Sequence, residues 1–249
     1  MNEQKFTGKA DLYEKFRPSY PDELIDFLYE NARCEAVADI GAGTGKFTRC
    51  LLKKPWQVTA VEPNADMRGK LAEIGSITVV NAPAEDTGLA DNSVGLVTTA
   101  QAFHWFDEER FKTECKRILT PNGQLAIIFN ERNSEDEISV ERNEICMRYC
   151  GAFHSGHVGK RTTEEGSAFL KNVYFSEVKY FAVENNVEND ERTFIGDTLS
   201  RSYAIGEDNE NYGRFVGELR DVFAKHEKGG KVTIRYTAAC YLGRFQEMI

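Results

Sequence analysis

The chain has 249 residues, enough for one large domain with a sizeable core, and its 41% hydrophobic and 29% charged residues are those of an ordinary globular protein. Its 31 Lys and Arg against 40 Asp and Glu give a formal net charge of −9. This makes nucleic acid and acidic membrane surfaces unlikely partners, because both are recognised by basic surfaces. The longest uninterrupted apolar run, Leu125 to Phe129, is far too short to span a bilayer, and the first residues are polar, so a cytoplasmic setting is expected. The six cysteines are then expected to stay reduced.

The first predicted helix carries Leu24, Ile25, Phe27 and Leu28 after a Pro-Asp-Glu start, with acids where the helix dipole favours them. Val37–Ile40 reads as a buried strand running into glycines. Gln57–Val61, Ile77–Val80, Val94–Thr98 and Gln124–Phe129 read as four more. Asp107 can cap a helix with Phe111, Cys115, Ile118 and Leu119 on its apolar face, ending at the turn signal Thr120-Pro121-Asn122-Gly123. Strand alternating with helix in this way predicts a doubly wound, parallel α/β sheet. Residues 131 to about 171 are polar, broken by Gly151, Gly156 and Gly159, and read as an inserted helical cap. Phe175–Val183 and Lys231–Leu242 read as two further strands at the sheet edge. Between them Tyr212, Phe215, Val216, Leu219, Val222 and Phe223 share a helical face. No linker divides the chain, so one domain over 1–249 is expected, with the cap and an N-terminal lid over 1–20.

The sharpest feature is Asp39-Ile40-Gly41-Ala42-Gly43-Thr44-Gly45-Lys46-Phe47, a strand entering glycines and then a helix. Glycine permits positive φ and close backbone approach to a ligand, and the helix start offers free N–H groups. A Walker A loop fails here, because Ile40 stands at its first glycine and Phe47 at its hydroxyl. A dinucleotide fingerprint fails at Lys46, where its third glycine belongs, which weakens but keeps open an NAD-dependent oxidoreductase. Glu62, at the end of the second strand, can accept both hydroxyls of a ribose, although a solvated loop acid is the plain alternative.

In order along the chain, these residues resemble the class I S-adenosylmethionine-dependent methyltransferases. The resemblance rests on Val37–Gly45, Val61-Glu62-Pro63-Asn64 with Met67, Asn81–Asp86, Thr99–Phe106 and Arg117–Gly123. Tyr13–Pro21 and Tyr236–Gly243 further resemble a small-molecule subgroup that includes enzymes similar to trans-aconitate methyltransferase. Two departures are Asn122 in place of a glycine and Gly95 in place of an aspartate. The first is tolerable because Asn accepts left-handed geometry, and the second is expected to loosen a nearby contact.

The resemblance implies a Rossmann-like methyltransferase fold of seven strands with the last antiparallel, and S-adenosyl-L-methionine as cofactor. It implies that Asp39, Gly41, Ala42, Gly43, Thr44 and Gly45 shape the pocket for the methionine part. Glu62 would bind the ribose, and Pro63 and Met67 would border the adenine, with Ala84 and Glu85 at its edge. Ala100 and Gln101 would lie under the sulfonium. Arg17 would neutralise the cofactor carboxylate if the N-terminal segment folds over it, and Trp105, Phe103, Tyr13 and Phe16 are the candidate rings to face the cationic sulfur or methyl.

The implied activity is methyl transfer to a small-molecule acceptor, a carboxylic acid among the candidates. A carboxylate nucleophile needs no base; a protonated one does. His104 is the candidate base and Trp105 a candidate pocket wall, set against a structural role for both. Arg201 and Tyr203 are candidate substrate contacts, an arginine suiting a carboxylate, set against a surface role. Arg132, Arg148 and Arg161 carry the same ambiguity. Cys146, Cys150, His154 and His157 invite a zinc reading, but on one helix they span about 16 Å, too far for one ion, so no metal is expected. A cofactor-binding or regulatory module without chemistry is the non-enzyme alternative.

Overall fold

The computed structural model describes residues 7–133, 135–151, 157–158 and 161–245, the side chains of 157–158 and 161–163 excepted. The chain begins with α1 (Ala10–Phe16) and α2 (Asp22–Asn31). It then alternates β1 (Ala36–Ile40), α3 (Lys46–Leu51), β2 (Gln57–Val61), α4 (Ala65–Leu71), β3 (Ile77–Val80), β4 (Val94–Ala100), α5 (Glu108–Ile118) and β5 (Leu119–Arg132). Next come α6 (Glu137–Tyr149), the small pair β6 (His157–Val158) and β7 (Arg161–Thr162), α7 (Thr163–Phe169) and β8 (Glu177–Glu184). The chain ends with β9 (Val187–Asn189), α8 (Glu191–Leu199), α9 (Tyr212–His226), β10 (Val232–Ile234) and β11 (Tyr236–Arg244).

One seven-stranded sheet runs in the order β3-β2-β1-β4-β5-β11-β8. The first five strands pair in parallel, and β11 runs antiparallel to both β5 and β8. Strict alternation sorts β5 by face. Leu125, Ile127 and Phe129 pack with Phe103, Phe111 and Ile118, while Ala126 and Ile128 pack with Leu24, Leu28 and Leu51. Burial on both faces is why these strands read as short continuous apolar runs. Helix starts follow their side-chain caps: Asn64 Oδ1 accepts from Met67 N at 3.0 Å and Asp107 Oδ1 from Arg110 N at 3.1 Å.

Three expectations change. The predicted turn at Thr120–Gly123 lies inside β5, as an excursion between the pairs Val94–Leu119 and Leu96–Gln124. Asn122 is not among the positive-φ residues, so its left-handed tolerance is unused. Gly95 lies where the β4–β5 pairing shifts register, between Val94 and Leu96, and a Cβ there would stand 2.4 Å from Cys34 Cβ, so the missing side chain lets the loop before β1 pack down. The predicted strand Lys231–Leu242 is two strands broken at Arg235, whose carbonyl accepts from Asn133 N at 2.9 Å. Its first part, β10, pairs with β9 in a separate ribbon.

The helix carrying Phe215, Leu219 and Phe223 does not lie on the sheet. It packs with Ile138 and Ile145 of α6 and Phe194 of α8 in a third apolar cluster. Gly196 of α8 in turn receives Phe16 of α1, whose ring would be 2.4 Å from a Cβ at that position. These contacts bring α1, α6 and α8 together over the ends of β4 and β5. Among the described residues no helix is long and apolar enough to cross a membrane.

Candidate active site

The ends of β1, β2 and β4 open into a cleft of about 190 Å³. Between β1 and α3 the backbone takes positive φ at Gly41, Gly43 and Gly45, of 70°, 60° and 87°. The turn is pinned to β2, since Gly41 N and Ala42 N donate to Val61 O at 2.9 and 3.1 Å. Gly41 has no room for a side chain: a Cβ would sit 2.7 Å from Ala102 Cβ and 2.9 Å from Phe106. A Cβ at Gly43 would meet nothing within 4 Å.

That contrast makes a prediction. Gly43→Ala is expected to cost only its left-handed backbone, about 1–2 kcal/mol. Gly41→Ala adds a steric clash and is expected to cost about 1–3 kcal/mol more. Urea midpoints of the two variants measure the difference.

Glu62 is 7% exposed and is held from both sides. Its Oε2 accepts from Gly43 N and its Oε1 from Asn64 N, each at 2.8 Å. Burial raises its pKa, opposed by those two amides. Each carboxylate oxygen retains a second acceptor site, and Glu62 lines the cleft. Asp39 sits deeper. Its two oxygens accept from Thr48 Oγ1 at 2.6 Å and Thr98 Oγ1 at 2.9 Å, tying β1 to α3 and β4. Burial pushes its pKa up to about 6 against those hydrogen bonds.

Tyr13, Asp39, Gly41, Ala42, Gly43 and Glu62 all line the cleft, as do Pro63, Met67, Ala84, Glu85, Ala100, Gln101 and Trp105. Glu85 is also engaged elsewhere, with its Oε1 accepting from Asp107 N at 2.8 Å. Gln101 has φ 58°, a strained conformation for a side-chain-bearing residue, fixed by its Nε2 donating to Asn130 O at 2.8 Å. Thr44 is fully buried and does not line the cleft, and neither does Gly45, against whose Cα Ile74 and Leu71 pack. His104 lies outside the lining, in a 3-10 turn (Phe103–Trp105), its ring 4.6 Å from that of Trp105. Tyr203 lies outside it too, against the α6–α8–α9 cluster.

Arg17 and Arg201 are brought together in a side cavity with Lys46, Asn130 and Tyr236. Tyr13, Tyr20, Lys46 and Gln101 line both this cavity and the cleft. Asn130 fastens the N-terminal segment, donating from Nδ2 to Ser19 O at 3.1 Å. Burial lowers the pKa of Arg17, and neighbouring Arg201 lowers it further against Asp197. Lys46, Asn130, Arg142, Asp197 and Tyr236 were not singled out as site residues by the sequence. Asp197 on α8 and Arg201, just past its end, stand four apart, a spacing that could have flagged Asp197 as a partner of that arginine. Arg142 had no such signal.

Among the described residues, Glu137, Glu141 and His226 bring possible ligand atoms within 4.8 Å of one another, but Lys225 Nζ is 2.6 Å from Glu141 and 3.7 Å from Glu137. An ammonium already balances these acids. The zinc reading falls on His154 and the His157 side chain, outside the described residues.

A model of the methyltransferase domain matches residues 38–127. An uncharacterized methyltransferase of Mycobacterium tuberculosis is 41% identical over 144 residues, 57% of this chain and 59% of that protein. The chain therefore matches less than two thirds of that relative's length. An uncharacterized methyltransferase of Schizosaccharomyces pombe is 30% identical over 192 residues, 72% of this chain and 75% of its own. A solved structure from Anaeromyxobacter dehalogenans, described as a candidate type II methyltransferase, shares the fold with TM-score 0.69 at 24% identity, covering 92% of this chain and 98% of that one. A Haemonchus contortus phosphoethanolamine N-methyltransferase, solved with S-adenosylhomocysteine, shares it with TM-score 0.53 at 14% identity, over 94% of this chain and 57% of that one. With its strand order, its glycine turn and the acid that ends β2, the chain belongs to the class I S-adenosylmethionine-dependent methyltransferase family.

Proposed function

We propose that the chain transfers a methyl group from S-adenosyl-L-methionine to a small-molecule acceptor, and that this acceptor is a carboxylic acid. The observation that carries the cofactor is Glu62, buried at the cleft and held in place by the amides of Gly43 and Asn64. The residues present fit that molecule. Gly43 leaves open space where a side chain would stand. Pro63, Met67 and Ala84 form an apolar wall beside a ribose-binding acid, and Asp39 supplies a buried carboxylate at the inner end.

The cofactor supplies a methyl group on a positively charged sulfur, a leaving group that needs no further activation. The protein's task is alignment and exclusion of water, worth roughly 7–11 kcal/mol when two reactants are well placed. Trp105, Tyr13 and Tyr20 close the cleft with rings, which attract a cation at their faces. A carboxylate nucleophile arrives deprotonated, so the reading assigns no proton step to His104, which lies off the cleft lining. We read the segment up to residue 20 as the lid of a single domain and residues 131 to about 171 as its inserted cap, which includes α6, beside which α8 and α9 pack. Within the family, the resemblance of the Tyr13–Pro21 and Tyr236–Gly243 blocks supports reading the chain as similar to trans-aconitate methyltransferase.

Calorimetric titration with S-adenosylhomocysteine, with NAD as comparison, tests the cofactor, and transfer of labelled methyl to a panel of small acids, phenols and amines tests the acceptor. Micromolar binding of S-adenosylhomocysteine alone is expected, with label on acids. Binding of NAD alone, or of neither ligand, overturns the reading. Lys46, standing at the third fingerprint glycine and lining the cleft, is the observation that disfavours NAD.

A further inference from the structure

Two thiols lie one helical turn apart at the end of α6, where the start of α1 is tied down. Cys146 and Cys150 are each 1% exposed, and both are free. Cys150 N donates to Cys146 O at 2.8 Å, and the Cys146 thiol donates to Cys150 Sγ. Residues four apart on a helix have Cα atoms about 6 Å apart, inside the roughly 4.4–6.8 Å that a disulfide spans. Cys150 has itself left the helix, at φ −111° and ψ 91°, and Gly151 after it is exposed. Its side chain can therefore turn towards Cys146 without unwinding α6.

The surroundings give the two sulfurs different roles. The Cys146 hydrogen lowers the pKa of Cys150 against burial, helped by the Ile205 amide and the Lys9 ammonium. Cys150 and burial raise the pKa of Cys146. Cys150 is thus the nucleophile and Cys146 the partner that keeps its proton. Burial bars bulky thiols from the pair, but a peroxide close to water in size enters when the helix end opens locally.

The same spot fastens the lid. Lys9, the residue before α1, donates from Nζ to Arg201 O at 2.7 Å and to Ala204 O at 2.9 Å. Ile205, next in that segment, donates its N–H to Cys150. Residues 201–205 therefore hold the start of α1 on one side and Cys150 on the other, and α1 carries Tyr13 into the cleft lining.

We propose that Cys146 and Cys150 form a reversible dithiol–disulfide switch, closed by a peroxide, that loosens the start of α1 and weakens cofactor binding when oxidised. The Cys150 thiolate attacks one oxygen of hydrogen peroxide. An S–O bond forms, the O–O bond breaks, and the leaving hydroxide takes the proton that Cys150 gave up. The Cys146 sulfur then attacks the Cys150 sulfur. The S–S bond forms, the S–O bond breaks, and the second hydroxide leaves as water with the Cys146 proton. The two sulfurs lose two electrons and the peroxide gains them; a dithiol reductant reverses the step. A disulfide sulfur carries no charge and accepts poorly, so Cys150 lets go of Ile205 N and of the Lys9 ammonium. The cofactor half of this proposal rests on the methyl-transfer reading; the thiol half does not.

The full reduced chain and its Cys146→Ala and Cys150→Ala variants are treated with hydrogen peroxide, alkylated and mapped by mass spectrometry. S-adenosylhomocysteine is titrated, and hydrogen exchange of the α1 amides followed, before oxidation, after it, and after dithiothreitol. Residues 146 and 150 are expected to be linked, with loss of two hydrogens, in the wild type alone. Cys146→Ala is expected to stop at a sulfenic acid on Cys150, trapped by dimedone. The oxidised wild type is expected to bind S-adenosylhomocysteine at least about fivefold more weakly and to exchange its α1 amides at least about fivefold faster, both reversed by dithiothreitol. Coupling is reciprocal, so S-adenosylhomocysteine is expected to raise the reduction potential of the pair by at least about 20 mV, the same fivefold at about 30 mV per tenfold.

The proposal is overturned if 146 and 150 are not linked in the oxidised wild type, or if the link leaves ligand affinity or α1 exchange unchanged. It is also overturned if Cys146→Ala loses affinity on oxidation as the wild type does. Should the variants fail to fold, the wild-type map and exchange decide. If the reduced wild type does not bind S-adenosylhomocysteine at all, the methyl-transfer reading fails, while the link and the α1 exchange still decide the switch.

Discussion

Glu62→Ala is expected to weaken S-adenosylhomocysteine binding by about 10- to 150-fold, the equivalent of one or two hydrogen bonds to a charged group at about 1.5–3 kcal/mol in total. The loss has two parts. On the proposed reading the ribose hydroxyls lose a carboxylate acceptor, and Gly43 N and Asn64 N lose the oxygens that hold them 2.8 Å away. The second part loosens the glycine turn as well as the ribose contact. Glu62→Gln separates the two, because its amide oxygen can still accept from one backbone N–H while the charge is gone. It is expected to fall between wild type and Glu62→Ala. Calorimetry at one salt concentration measures all three, and equal affinity across the series would remove Glu62 from the site.

The half of the fold that carries this acid was legible because its physics is local. β1, β2 and β4 are covered on both faces, so each appears in the sequence as an apolar run ended by turn residues, and Gly41, Gly43 and Gly45 mark where the backbone needs positive φ. The second half was not, because its contacts are distant in sequence. Nothing near Arg235 announces that the chain leaves the β9–β10 ribbon there to join β5 and β8. Phe215 and Leu219 show an apolar helix face, but only the packed structure shows that α6 and α8 cover it. The candidate site divides in the same way. Glu62 follows from its place at a strand end. Arg142 and Asp197 meet across 55 residues of chain, and a buried ion pair between elements leaves no pattern in sequence. Thr44 reads as a pocket residue from its place among glycines, yet its neighbours turn it into the protein, fully buried.

Asp197→Asn is expected to destabilise the fold by about 3–5 kcal/mol, the cost of stripping the partner from buried charges. That is a large share of the roughly 5–15 kcal/mol that keeps a domain folded. Asn keeps the size and one acceptor oxygen of the side chain, so packing contributes little to the loss. What disappears is, among the described residues, the only negative charge paired with Arg17, Arg142 and Arg201. A second substitution, Arg142→Met, should restore part of the stability, because it withdraws one of the stranded charges and fills the space with apolar atoms. Urea midpoints of the single and double variants give the coupling directly, and a double variant no better than Asp197→Asn would show that charge is not the cause. The pH dependence supplies an independent sign. Burial by itself would raise the Asp197 pKa, but Arg201, Arg142 and Arg17 hold it at about 2, below its ordinary 3.8. A carboxylate depressed in the folded state stabilises fully above its unfolded pKa, and that contribution is lost as pH falls from 3.8 towards about 2. Wild type should therefore lose stability through that window more steeply than Asp197→Asn, so that the two stability curves converge at their acid end. Parallel curves would mean that Asp197 is not ionised in the fold, and the arginines around it would then need their negative charge from a ligand even to stay together.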